Sequence, residues 1–113
     1  GLEDLLHRFG CVGGFFAFDV PGLNEMPEAE REAAIDEACT ALENHIRTHV
    51  EGNCVDFIGR AVGRFHVYVD FIAYDLQEVC NAAVAFFENY DTTFAAFQTY
   101  RRDVAWYNMK KRK

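Results

Sequence analysis

Apolar and polar residues alternate along the segment from Gly63 to Phe71, GRFHVYVDF, and this pattern predicts a β-strand with two different faces. The apolar positions are Phe65, Val67, Val69 and Phe71. The positions between them, on the opposite side, are Arg64, His66, Tyr68 and Asp70. Because successive side chains of a strand point to opposite faces, we expect the apolar set to face a core and the polar set to face away from it.

The same alternation occurs near the start of the chain. In GFFAFDV, residues 14–20, the apolar positions Phe16, Phe18 and Val20 alternate with a second set. That second set is Phe15, Ala17 and Asp19. The segment is followed by Pro21 and Gly22, which favour a turn, so a strand is predicted to end there.

Two more strands are predicted further along the chain. Residues 54–60 and 64–72 form a hairpin, because Gly63 in their connection can adopt a positive φ angle. Residues 92–100, TTFAAFQTY, form the last strand. Asp56 and Ile58 of the second strand are expected on the same face as Tyr68.

Apolar residues recur at intervals of three and four in two segments, which predicts two helices with one buried face each. The first helix runs from about Pro27 to Val50, since proline is tolerated where a helix begins. The second begins at Asp75, which with Glu78 forms the D-x-x-E start signal, and ends near residue 90.

The predicted order is strand, helix, strand, strand, helix, strand. This is the order of the ferredoxin-like βαββαβ fold, an α+β architecture with a four-stranded antiparallel sheet and both helices on one face. A chain of 113 residues has room for one such unit, so residues 1–113 are predicted to form a single domain with a basic C-terminal tail at 108–113.

The net charge of −7 argues against nucleic acid as a partner, because a phosphate backbone is attracted by basic surfaces. A protein with a basic surface fits better, and the acidic outer face of the first helix, with Glu32, Asp36 and Glu43, is predicted to attract it. Aromatic residues make up 15% of the chain, which suggests that some rings cover another surface or form a homodimer. No apolar run of membrane-spanning length and no signal peptide are found, so a cytoplasmic location is predicted.

The cysteines and histidines form no metal motif. The four cysteines, at positions 11, 39, 54 and 80, have no close spacing and are predicted to be reduced and structural. His45 and His49 lie four residues apart on the first helix, but no H-E-x-x-H motif surrounds them. We therefore predict neither a metal nor another cofactor.

The face that carries His66, Tyr68 and Asp70 is the candidate surface. Its carboxylates and imidazole would suit acid–base chemistry if they converged in a pocket, although a bare sheet face of this kind is more often solvated. The segment also faintly resembles the aromatic strand of RNA-recognition modules, but Phe65 and Tyr68 fall on opposite faces. No catalytic residue is assigned.

From about Ile35 to Tyr107 the sequence resembles the RraB-like family of bacterial domains, relatives of regulator of ribonuclease E activity B, and a related family of unknown function. The resemblance rests on AVGRFHVYVD, then a helix, a strand, and Asp103 shortly before Trp106 and Tyr107. It implies a ferredoxin-like fold and an acidic protein that binds and inhibits a ribonuclease without being an enzyme.

We therefore expect a non-enzymatic binding or regulatory module that engages a basic protein and inhibits a ribonuclease or a toxin. The predicted binding residues are Phe15, Asp19, Asp56, His66, Tyr68, Asp70 and Trp106. The alternative is a small enzyme, a dimeric α+β barrel in which two sheets pack face to face and enclose the candidate surface.

Overall fold

A computed structural model describes residues 12–51, 54–63, 66–100 and 107–108, the last pair as backbone only. Along these residues the chain forms β1 (Val12–Phe18), α1 (Glu28–His49), β2 (Val55–Val62), β3 (Val67–Ala73), α2 (Leu76–Asn89), β4 (Ala95–Thr99) and β5 (Tyr107–Asn108). A short 3-10 helix, Leu23–Glu25, precedes α1.

The strands pair in the order β2-β3-β1-β4-β5, and every pair is antiparallel. The βαββαβ order and the β2-β3-β1-β4 sheet confirm the predicted ferredoxin-like fold. β5 was not predicted: it pairs with β4 through Asn108 opposite Ala96. The predicted basic tail therefore begins inside a strand at residue 108, and its residues 109–113 lie outside the described part.

The alternation predicted for β1 and β3 is confirmed for their large side chains, whereas Ala17, which was predicted on the face away from the core, is also fully buried. Phe16 and Phe18 of β1 are fully buried, and so is Phe71 of β3. The rings of Phe16 and Phe71 stack with their centroids 4.6 Å apart. Burial of one such side chain contributes about 1.5–3 kcal/mol, so this face of the sheet anchors the core. Phe65 and Arg64 lie outside the described residues.

The two helices cover that face and begin where the sequence predicts. α1 starts directly after Pro27, and its buried side includes Cys39, Leu42 and Ile46. α2 starts after Asp75, whose side chain accepts a hydrogen bond from the backbone N–H of Glu78 at 3.2 Å. This cap satisfies one of the free N–H groups of the first turn and typically contributes about 1 kcal/mol.

A β-bulge in β2 changes which side its later residues face. Phe57 is opposite Phe71, but the next paired residue is Gly59, opposite Asp70, so that Ile58 is inserted between them. The bulge places Arg60 opposite Val69, on the helix side of the sheet.

Arg60 binds the acidic residues of α1 from this position. Its Nε lies 2.9 Å from Oε2 of Glu43, and its Nη1 lies 2.5 Å from Oδ1 of Asp36. Glu43 is buried and cannot belong to an acidic outer face of α1, as the sequence had suggested. The exposed acidic residues of the helix include Glu28, Glu30, Glu32, Asp36 and Glu37.

The glycine of the hairpin has a different role from the one predicted. Among the described residues only Gly22 has a positive φ angle, so Gly63 does not use that freedom. Its backbone N–H donates to the carbonyl oxygen of His66 at 2.8 Å and closes the turn. A Cβ atom on Gly63 would lie 2.6 Å from Cε2 of Tyr68, so the missing side chain makes room for that ring.

Candidate functional site

The open face, meaning the side of the sheet opposite the two helices, brings most of the predicted site residues onto three neighbouring strands. β1 lies between β3 and β4, and Phe15 is paired with Asp70 on one side and with Gln98 on the other. Ala17 is paired with Tyr68. The strand order therefore places Phe15, Tyr68 and Asp70 side by side.

Three rings and one carboxylate form a group that we call the Asp70 cluster: Phe15, Tyr68, Asp70 and Tyr100. The rings of Phe15 and Tyr68 are inclined at 73° with their centroids 5.6 Å apart. The ring of Tyr100 lies 6.0 Å from that of Phe15, and its hydroxyl donates to Oδ1 of Asp70 at 3.0 Å. Desolvation and this neighbouring carboxylate raise the pKa of Tyr100 to about 12, so the hydroxyl keeps its proton at neutral pH.

A second group joins Asp19 and His66 at one end of the sheet. Nδ1 of His66 lies 2.7 Å from Oδ1 of Asp19, and the imidazole stacks on the ring of Phe94 at a centroid distance of 4.3 Å. The pair borders a cavity of about 210 Å³ between the hairpin and the segment that follows β1. Carboxylate and aromatic ring together fix the orientation of this imidazole.

Asp56 is separate from both groups. It is exposed on β2 at the edge of the described sheet, and its Oδ2 accepts a hydrogen bond from the hydroxyl of Tyr74 at 3.0 Å. Trp106, the remaining predicted binding residue, lies outside the described residues.

Sequence reasoning missed three aromatic residues: Tyr100 and Tyr74, which donate to Asp70 and Asp56, and Phe94, which stacks on His66. The signal for two of them was present, because Phe94, Ala96, Gln98 and Tyr100 alternate along the last strand as the residues of GRFHVYVDF do. Extending that alternation would have placed Phe94 and Tyr100 on the open face.

The cationic side chains of the described part lie away from the open face. Its Lys and Arg residues are Arg31, Arg47 and Arg60. Arg60 binds α1, Arg47 lies over the ring of Phe57 at 5.0 Å, and Nε of Arg31 donates to the backbone oxygen of Met26. Within the described ranges, the three open-face aspartates therefore have no Lys or Arg beside them.

The described histidines and cysteines show no metal site. Among these residues, no three His, Cys, Asp or Glu side chains are grouped so as to hold an ion. His45 and His49 stack at 4.1 Å, and burial, followed by the proximity of His49, lowers the pKa of His45.

The three described cysteines, at positions 39, 54 and 80, are free thiols. Burial raises the pKa of Cys39 to about 11 and that of Cys80 to about 12. Both thiols are therefore protonated at neutral pH, which suits structural rather than nucleophilic cysteines.

No helix in the described part of the chain is long and apolar enough to cross a membrane.

No protein-family model matches the chain, and neither a curated protein nor a solved structure matches it. The ferredoxin-like fold is established by the strand order alone, and the resemblance to the RraB-like family stays a prediction. A ferredoxin-like fold hosts many unrelated activities, so function has to be argued from the side chains of the open face.

Proposed function

We propose that this protein is a non-enzymatic binding or regulatory module that covers a basic surface of another protein with the open face of its sheet. The observation that carries the proposal is the Asp70 cluster, in which three aromatic rings and a carboxylate lie together on the open face. Aromatic rings at the centre of an interface supply affinity, and carboxylates select a partner of opposite charge.

The net charge of the whole chain also favours a partner with a basic surface. A net charge of −7 attracts a basic protein over a distance of about 10 Å at 0.1 M salt and raises the rate of encounter. The exposed glutamates of α1 add to this attraction from the other side of the molecule, without contacting the partner.

The resemblance to the RraB-like family supports a more specific version of the proposal. In that version the partner is a ribonuclease, the protein inhibits it by covering its surface, and both act in a bacterial cytoplasm. An inhibitor of a toxin would present the same acidic surface. The acidic composition fits this role, since ribonucleases and many toxins that act on RNA present basic surfaces to their substrate.

Capture from a bacterial lysate with charge-matched variants tests the proposal. One variant carries Asp19→Asn, Asp56→Asn and Asp70→Asn on the open face. The control carries Glu28→Gln, Glu30→Gln and Glu32→Gln on α1, so that both variants change the net charge by the same amount. We expect the open-face variant to lose about tenfold or more of the captured basic protein, and the control to lose about twofold.

Thermal melts of both variants show that each is folded before capture is compared. Equal losses would mean that only the overall charge attracts the partner, and capture unaffected by either variant would contradict the proposal.

The hydrogen bond between His66 and Asp19, beside a cavity of about 210 Å³, favours a small enzyme as a second candidate. A carboxylate that orients an imidazole is an arrangement used for general acid–base catalysis. Such an enzyme would be a dimer in which two sheets pack face to face. Sedimentation of the unmodified protein and of Tyr68→Arg separates the two candidates. A dimer that Tyr68→Arg converts to a monomer favours the enzyme, and an unmodified protein that is already a monomer favours the binding module.

A further inference from the structure

We propose that the Asp70 cluster receives one arginine side chain of the partner protein, with the guanidinium group held between the carboxylate of Asp70 and the rings around it. This inference rests on the proposed function and names the chemical group that the open face recognises. It depends on three properties of the cluster: an oriented carboxylate, inclined aromatic rings, and space beside the free edge of the carboxylate.

The carboxylate of Asp70 is half-buried, and its hydrogen bond comes from a neutral group, the hydroxyl of Tyr100. No Lys or Arg of the described part forms an ion pair with it. A charge that is partly removed from water gains more from a cationic partner than an exposed one does. Asp70 is therefore better suited to bind a cation than Asp56, which is exposed.

The rings supply the second property. A cation is attracted to the face of an aromatic ring when it lies within about 6 Å of the ring centroid. Phe15 lies between Tyr68 and Tyr100, inclined to them by 73° and 42°, so three rings of different orientation lie within one small area. In the proposed site the planar cation lies beside Asp70 and against one of these rings.

Glycine provides the space. Gly59 is paired with Asp70, and a Cβ atom on Gly59 would already lie 3.4 Å from Oδ2 of Asp70. No side chain of Gly59 therefore lies against Oδ2, while Oδ1 accepts the hydrogen bond from Tyr100. Gly63, which directly follows β2, makes room for the ring of Tyr68, because a Cβ atom there would lie 2.6 Å from Cε2.

Arginine fits this arrangement better than lysine. A guanidinium group is planar, stacks on an aromatic ring and still directs several N–H donors at a carboxylate, whereas an ammonium group is a compact, strongly hydrated charge. Beside an oriented carboxylate flanked by rings, arginine can stack on a ring and donate hydrogen bonds to the carboxylate at the same time.

NMR titration with short peptides tests the arginine site without the partner. The probe is acetyl-Gly-Ser-Gly-Arg-Gly-Ser-amide, and the comparison peptides replace its arginine with citrulline, which has the same shape without the charge, or with lysine. We expect the arginine peptide to shift the ring signals of Phe15, Tyr68 and Tyr100 saturably. The lysine peptide should bind several-fold more weakly, and the citrulline peptide should cause no saturable shift.

Two matched variants locate the binding energy. Asp70→Asn and Asp56→Asn each remove one charge from a carboxylate that accepts a tyrosine hydrogen bond of 3.0 Å. Asp70→Asn should weaken binding of the arginine peptide about tenfold, whereas Asp56→Asn should change it by less than about twofold. Their spectra also show that both variants remain folded.

Equal responses to the arginine and citrulline peptides, or equal effects of the two variants, would overturn the arginine site. If the open-face variant no longer captures the partner but the arginine peptide does not shift the signals of the Asp70 cluster, the site is overturned and the proposed function stands. If the arginine peptide binds as described but capture does not depend on the open face, the site is supported and the proposed function fails.

Discussion

Phe16→Ala is expected to lower the free energy of unfolding by about 3–5 kcal/mol, whereas Phe15→Ala should lower it by about 1–2 kcal/mol. Phe16 is fully buried, stacks on Phe71 at 4.6 Å and meets Phe97 edge-on. Its removal leaves a cavity between the sheet and the helices. Phe15 is half-buried on the open face, where water can fill part of the space that its ring leaves.

The two variants form a matched pair, because the residues are of the same type and consecutive in β1. Urea unfolding of both, monitored by circular dichroism, gives the two differences in free energy. Equal losses would show that the open face is covered as completely as the core, and the binding surface proposed here would then not exist in the free protein.

The second large effect is expected for Gly14→Ala, which should destabilise the protein by about 3 kcal/mol. A Cβ atom on Gly14 would lie 2.5 Å from the backbone oxygen of Gln98 and 3.0 Å from Cζ of Phe71. Gly14 is buried in β1, so relief requires the backbone of β4 to move and the stacked ring of Phe71 to shift.

Gly13→Ala is the control for this prediction. A Cβ atom there would meet the ring of Tyr100 at 3.0 Å, a side chain that is 55% exposed and can turn away. We expect Gly13→Ala to cost less than about 1 kcal/mol in the same urea measurements. If Gly14→Ala destabilised the protein as little as Gly13→Ala, that result would contradict the close packing of β4 and Phe71 against β1.

The local patterns of the sequence were sufficient for the fold. Alternation located β1 and β3, and the recurrence of apolar residues located both helices, because one buried face imposes a fixed period on each element. Pro27 and Asp75 located the two helix starts within a residue or two, since both act through their own backbone neighbours.

The features that the sequence did not reveal depend on contacts between distant segments. Gly59 inside a strand is a known sign of a bulge, but its effect on Arg60 follows only once the pairing with β3 and the position of α1 are known. The role of Gly63 depends on Tyr68, which lies across the hairpin. β5 follows residues whose pattern contains no alternation, so its pairing with β4 had no local signal.

The candidate site, too, could be predicted only in part. Its residues could be assigned to one face from alternation, and the ferredoxin-like order places the first strand beside the third. The division into an Asp70 cluster and an Asp19–His66 pair could not be predicted, because it depends on side-chain directions and on Phe94 and Tyr100, which flank β4.

Hydroxyl-radical footprinting of the complex with the captured partner tests most directly whether the open face is the binding surface. The method reports the accessibility of individual aromatic side chains. Tyr68 and Tyr100 report on the open face, and Phe86 and Tyr90, which stack on each other at 5.2 Å beside the core, report on the helix side. We expect strong protection of Tyr68 and Tyr100 with Phe86 and Tyr90 unchanged. Protection of Phe86 and Tyr90 with Tyr68 and Tyr100 unchanged would contradict binding through the open face.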